Sequence, residues 1–236
     1  MNEAPVSAPA DVLAIAAHPD DCEFGAAGTI ARWIREGKSV VYVLCTSGEK
    51  GTNDPALAPE SLAAIREEEQ RAACAVLGVR EAVFLRLPDQ GLEDSADFRR
   101  LLVRQIRRYR PRVVLTSDPY RRYLWHRDHR IVGQVVLDAV FPCARDRLSF
   151  PELLGEGLAP HKVREIYCWG AEEINCRVDI TETFDLKIAA LRCHKSQLRD
   201  FSRGDPAAWL RERCREMAAG ESFGLAEGFH RVEAPP

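Results

Sequence analysis

Residues Val12 to Ala17 (VLAIAA) form an unbroken apolar run that stops at His18-Pro19. A strand with one wet face alternates apolar and polar residues. A strand that never alternates is buried on both faces, as in a parallel sheet covered by helices on each side. Phe24 to Gly37 follows with Ile30, Trp33 and Ile34 at helical spacing and ends at a glycine. Ser39 to Cys45 (SVVYVLC) is β-branched and apolar, the next strand. This strand, helix and strand make a βαβ unit, whose crossover is right-handed almost without exception.

The alternation continues along the chain. A helix is predicted from about Glu60 to Leu77, ending at Gly78, and a strand from Val83 to Leu87. A second helix spans Ala96 to Tyr109 before Pro111, then comes a strand from Val113 to Thr116 and a helix from His126 or Asp128 to Val140. The last third is less regular, with an apolar stretch Glu165 to Trp169, a short strand at Val178 to Ile180, and helices at Phe184 to Gln197 and Pro206 to Ala219. The expected fold is α/β: a three-layer, Rossmann-like, mostly parallel sheet with a C-terminal elaboration. Residues 1–10 read as a disordered Ala/Pro-rich lead and 11–236 as a single domain.

Composition excludes several partner classes. The net charge of −3 and scattered arginines argue against nucleic acid. No apolar run approaches the roughly 20 residues of a membrane span, and the N-terminus has no basic, then apolar, signal pattern. The expected compartment is the cytoplasm. Eight cysteines without a C-x-x-C pair read as reduced, buried thiols, Cys22 among them, and not as a disulfide framework or zinc ribbon.

Two short motifs carry the chemistry. His18-Pro19-Asp20-Asp21 directly follows the first strand, and His126-Arg127-Asp128-His129 follows the fourth. Open α/β sheets bind ligands at the carboxyl ends of their strands. Three of the chain's six histidines fall in these motifs. A catalytic zinc uses three N/O ligands and leaves a position open, and His18, Asp21 and His129 make such a set. Asp20 adjoins the ligands as a general base. His126, three residues before His129, is either a ligand or a group facing substrate as acid or oxyanion donor. Asp128 would hold the His126 tautomer if this segment is a loop.

The string AHPDDCEFGAAGTIA, then CTSGEKGTND, Arg66-x-x-Glu69, LPDQGL at 87–92, HRDH and CHKSQ at 193–197, resembles the LmbE/PIG-L family of metal-dependent N-deacetylases, over about residues 11 to 200. The resemblance is greatest to the bacillithiol-type, N-acetylglucosaminyl-malate deacetylase group. It implies zinc, or iron(II) in its place, on His18, Asp21 and His129, with Asp20 as base and His126, supported by Asp128, stabilising the oxyanion. It implies a small-molecule N-acetyl amino sugar conjugate as substrate. Arg66, Asp89 and His194 are then candidates for substrate contact. Their bland alternatives are a surface salt bridge, a turn carboxylate and a packed core histidine. Glu49 is expected to orient the loop beside the metal, and Tyr120, Tyr123 and Trp125 to form an apolar wall. Arg127 replaces a common proline.

Two other functions compete. A metal-dependent phosphoesterase on a small sugar phosphate uses similar residues but commonly two metals. A dinucleotide-binding module would fit Gly25-Ala-Ala-Gly28 only loosely: there is no G-x-G-x-x-G, and two carboxylates at the turn would repel a pyrophosphate. The C-terminal third is the segment available for a homo-oligomer interface.

Overall fold

A computed structural model describes residues 8–123, 126–199, 201–202 and 204–235. Its strands are β1 (Val12–Ala16), β2 (Val40–Thr46), β3 (Glu81–Leu87), β4 (Val113–Ser117), β5 (Glu165–Trp169), β6 (Cys176–Asp179) and β7 (Ala226–Glu233). They form one sheet in the order β3-β2-β1-β4-β5-β7-β6. The first five are parallel, and β7 runs antiparallel to both β5 and β6. From β1 the chain steps outward through β2 to β3, then returns to place β4 on the other side of β1. That reversal opens a crevice at the carboxyl ends of β1 and β4, the usual ligand position in such sheets.

Along β1, Val12, Ala14 and Ala16 pack in one hydrophobic layer and Leu13 and Ile15 in the other. Helices α1 (Asp21–Gly25), α2 (Ala27–Arg35) and α3 (Pro59–Leu77) lie on the first side. Helices α4 (Ala96–Tyr109) and α5 (Arg127–Asp138), followed by a kinked segment at Ala139–Ala144, lie on the second. Burial on both faces is why the β1 sequence never alternates. The chain also carries α6 (Glu152–Gly155), α7 (Phe184–Leu191), α8 (Lys195–Leu198) and α9 (Pro206–Met217). No helix among the described residues is long and apolar enough to cross a membrane. All eight cysteines are free.

Local signals explain the helix limits. Pro59 opens α3, and Gly78 ends it in the left-handed conformation. Ser95 caps α4 by accepting from the Phe98 N–H. Two helices read as continuous are broken. The first splits at Ala26 (φ −148°) into α1 and α2, and the second leaves helical structure after Leu191 and resumes at Lys195. Helical spacing runs through both breaks, so periodicity alone does not show them. Gly25 and Gly28, the residues that hinted at a dinucleotide turn, serve packing instead. A Cβ on Gly25 would sit 2.6 Å from the Trp169 ring, and one on Gly28 would sit 2.8 Å from Ile180.

Strand β7 was not expected from the sequence, and it supplies the missing cap of α2. Ala26 has no capping side chain. Glu227 of β7 reaches the helix start, accepting from Gly28 N at 3.0 Å and Thr29 N at 2.7 Å. The buried Lys187 donates to the same carboxylate at 2.6 Å and to the Phe24 carbonyl at 2.8 Å. A paired carboxylate at a helix N-terminus is favourable, but removing it strands a buried ammonium. Glu227→Ala should cost about 3–5 kcal/mol in urea unfolding. Lys187→Met, which leaves the carboxylate on two N–H groups, should cost less.

Candidate active site

The loop after β1 is shaped by its own backbone. The Ala17 carbonyl accepts from both the N–H and the hydroxyl of Thr46, at 2.9 Å each, tying the exit of β1 to the end of β2. Asp20 is left-handed (φ 95°), and the His18 N–H donates to Asp21 Oδ2 at 2.9 Å. The tight turn therefore sends His18 and Asp21 into the crevice together. On the β4 side, Ser117 Oγ donates to the His129 carbonyl at 2.9 Å. Gly133, one turn further along α5, lets that helix touch the strand end: a Cβ there would lie 2.4 Å from the Ser117 carbonyl oxygen.

These two approaches bring three ligating groups to one point. His18 Nδ1 lies 3.1 Å from His129 Nε2. Asp21 Oδ1 lies 3.1 Å from His129 Nε2, and Asp21 Oδ2 lies 3.7 Å from His18 Nδ1. Tetrahedral zinc with N and O ligands at its usual bond lengths holds donor atoms roughly 3.3–3.6 Å apart. Two imidazole nitrogens and a carboxylate at these separations fit a divalent cation. His126 completes a trio of ring nitrogens with His18 and His129, all within 4.8 Å.

The far side of the His18 ring is equally specific. Its Nε2 faces Asp89 Oδ1 at 3.1 Å and Asp128 Oδ2 at 3.5 Å. Both carboxylates are buried and held from behind. Asp89 Oδ2 accepts from Lys50 N at 2.9 Å, while its own N–H donates to Glu49 Oε1 at 2.8 Å. Asp128 Oδ2 accepts from Gln90 N at 2.7 Å. With acceptors on Nε2, that atom carries the proton and Nδ1 keeps a lone pair for a metal. Burial would depress His18, yet Asp128, Asp89 and Asp21 outweigh it and lift the group to about 10, so without a metal Nδ1 also takes up a proton, which a bound cation would displace. A ring so surrounded by carboxylates sits in a field that favours a cation.

Asp20 stands at the edge of this cluster. Its Oδ2 receives Arg66 Nη2 at 3.3 Å, and burial lifts its carboxyl to about 6 against the pull of Arg66. Burial works the same way on Asp21, but His129 and His18 overcome it and hold that group well below the usual carboxylate range. The two adjacent carboxyls are thus pushed apart, one toward base chemistry and one toward permanent charge. His126 occupies the N-cap of α5 and accepts from the Asp128 N–H through Nδ1 at 3.2 Å. In its neutral form the remaining proton is on Nε2, and partial desolvation, together with His18 and His129, lowers its pKa.

The family model for PIG-L, GlcNAc-PI de-N-acetylase, matches residues 13–140. The chain belongs to this family. Among curated relatives, a diacetylchitobiose deacetylase of Thermococcus kodakarensis is 36% identical over 186 residues, covering 79% of this chain and 69% of the relative. A probable N-acetyl-alpha-D-glucosaminyl L-malate deacetylase 2 of Bacillus anthracis is 29% identical, covering 79% and 80%. Of solved structures, the N,N'-diacetylchitobiose deacetylase of Pyrococcus horikoshii superposes with a TM-score of 0.89 at 32% identity, over 94% of this chain and 84% of that one. This PIG-L family member is an enzyme of the linear-amide hydrolase class, and the relatives named above are deacetylases.

Within this PIG-L enzyme the structure brings His18, Asp21, His129, Asp20 and His126 together. It assigns different surroundings to the others. The Asp128 carboxylate, expected beside His126, faces His18, and only its backbone N–H reaches His126. Asp89, expected at a sugar hydroxyl, is buried with both oxygens engaged behind His18. Arg66 is neither a surface salt bridge nor a free guanidinium: it is buried and donates to the Pro19 and Gly48 carbonyls at 2.6 and 3.0 Å. His194 has no exposed surface and faces Glu23. All three have little or no exposed surface and sit behind the loop that follows β1. Tyr120 and Tyr123 are exposed, and Trp125 lies outside the described residues. Neither Gln70 nor Gln90 stands out in the sequence; a polar residue on the inner face of α3 is the available signal for the first. If Asp89 orients His18, Asp89→Asn should weaken zinc binding about 10–100-fold in a chelator competition, with the fold intact.

Proposed function

We propose that this enzyme is a zinc-dependent N-deacetylase that hydrolyses the acetamide of an N-acetylglucosamine-containing conjugate to the free amine and acetate. The supporting observation is the two-sided His18: Nε2 on buried carboxylates, Nδ1 converging with His129 and Asp21. The residues that would hold the ion are His18, Asp21 and His129. Bound there, a divalent cation supplies Lewis acidity to the acetamide carbonyl and lowers the pKa of water. Membership in this family and relatives named for diacetylchitobiose and glucosaminyl malate support the substrate class. The identity to the chitobiose enzyme exceeds that to the malate enzyme, so a chitobiose-like sugar belongs beside the malate glycoside as a candidate.

The chain's own groups account for the proton movements. Asp20, with a raised pKa, accepts a proton from the attacking water. The water oxygen bonds to the carbonyl carbon, and the negative charge that develops on the carbonyl oxygen is met by His126 Nε2–H. As the C–N bond breaks, Asp20 returns its proton to the departing nitrogen. Arg66 holds the Asp20 carboxylate and the Pro19 carbonyl in place throughout.

Purified protein loaded with zinc should release free amine from diacetylchitobiose or from the malate glycoside, and a chelator should abolish that release until zinc is restored. Metal analysis should give one ion per chain; two would favour a phosphoesterase. Asp20→Asn should keep its zinc and lose about 10²–10⁴ in kcat. Full activity in that variant would remove Asp20 as the base.

A further inference from the structure

Behind the site, a line of buried side chains ends on Asp20, and none of the proton movements above uses it. The left-handed backbone of Asp20 is unfavourable for a residue with a Cβ and must be held by its surroundings. Its N–H donates to Gln70 Oε1 at 3.1 Å. Gln70 Nε2 donates in turn to Glu23 Oε1 at 3.1 Å, and Glu23 Oε2 lies 3.2 Å from His194 Nε2. Glu23, Gln70 and His194 have no exposed surface.

The chemistry at the two ends fixes the amide's direction. Only the oxygen of Gln70 can accept from a backbone N–H, and only its nitrogen can donate to a carboxylate. The segment carrying His194 is itself pinned to α3, because Glu69 accepts from Ser196 N at 2.8 Å and from Ser196 Oγ at 2.6 Å. Arg66, one turn before Gln70, holds the carboxylate of the same Asp20. One face of α3 therefore grips Asp20 at both its backbone and its side chain. The Arg-x-x-Glu and CHKSQ motifs, far apart in sequence, meet at that grip.

We propose that Gln70 is a positioning residue for deacetylation. It holds Asp20 in the left-handed conformation that sets where the catalytic carboxylate stands, with Glu23 and His194 fixing its orientation. The inference rests on Asp20 being the base. A packing role for Gln70 would depend on its volume, and a positioning role depends on which of its atoms donates and which accepts.

The test uses the full zinc-loaded chain. Gln70→Glu keeps the volume but sets two carboxylates against each other. It should lower kcat about 10–100-fold, with KM and zinc content unchanged. Adding Glu23→Gln exchanges donor and acceptor at that one contact, preserves net charge and every hydrogen bond in the line, and should restore most of the wild-type kcat. In an Asp20→Asn background, Gln70→Glu should cause no further loss. Gln70→Met, which removes both polar ends, provides a structural readout: its crystal structure should show Asp20 out of the left-handed region. Four results would overturn the proposal: wild-type kcat in Gln70→Glu, failure of the double exchange to restore it, an equal loss in the Asp20→Asn background, or an unchanged Asp20 backbone in Gln70→Met. Full activity of Asp20→Asn alone would instead defeat the assignment of the base, a separate outcome.

Discussion

The imidazole of His18 joins the two halves of this site, and each of its nitrogens has a different duty. One faces Asp89 and Asp128, brought from the ends of β3 and the start of α5; the other faces His129 and Asp21. A neutral imidazole has one N–H and one lone pair, so fixing a donor on Nε2 commits Nδ1 as an acceptor. The buried carboxylates on the Nε2 side favour that choice. The Gln90 and Lys50 N–H groups hold the two carboxylates, and Glu49 holds the backbone of Asp89. A carboxylate that orients a metal-binding histidine is part of the metal's affinity, although it touches no metal.

The same economy of buried polar groups recurs at the start of α2. Glu227 and Lys187 are buried, but each has partners: two N–H groups at the start of α2 for the carboxylate, and a carbonyl for the ammonium. Charge taken out of water is tolerated only with such compensation. The α2 start lies just after the His-Pro-Asp-Asp turn. The C-terminal strand thus secures the helix that follows the site.

Much of this was legible in the sequence, for definite reasons. The unalternating run ending at His18 identified a central parallel strand, and the strand-end rule then placed His18, Asp21 and His129 in one crevice. Gly78 and Pro111 marked the ends of α3 and α4. Side-chain direction after a loop was not legible. Asp89, Arg66 and His194 lie near the His-Pro-Asp-Asp turn, but what each side chain faces there depends on backbone turns that spacing does not encode. Strand β7 was missed because AEGFHRVE contains a glycine and a buried glutamate, whose partners at Gly28 and Thr29 lie about 200 positions away. Gln70 was missed because its value lies in joining Asp20 to Glu23, and no local pattern announces that.

The account turns on where a cation would sit relative to the His18 ring. Anomalous diffraction at the zinc edge, on crystals grown with zinc, locates it directly. One peak per chain is expected, bounded by His18 Nδ1, His129 Nε2 and the Asp21 carboxylate. A peak on the Nε2 side, between His18, Asp89 and Asp128, would contradict the account, because those carboxylates would then be ligands and not the groups that orient the ring.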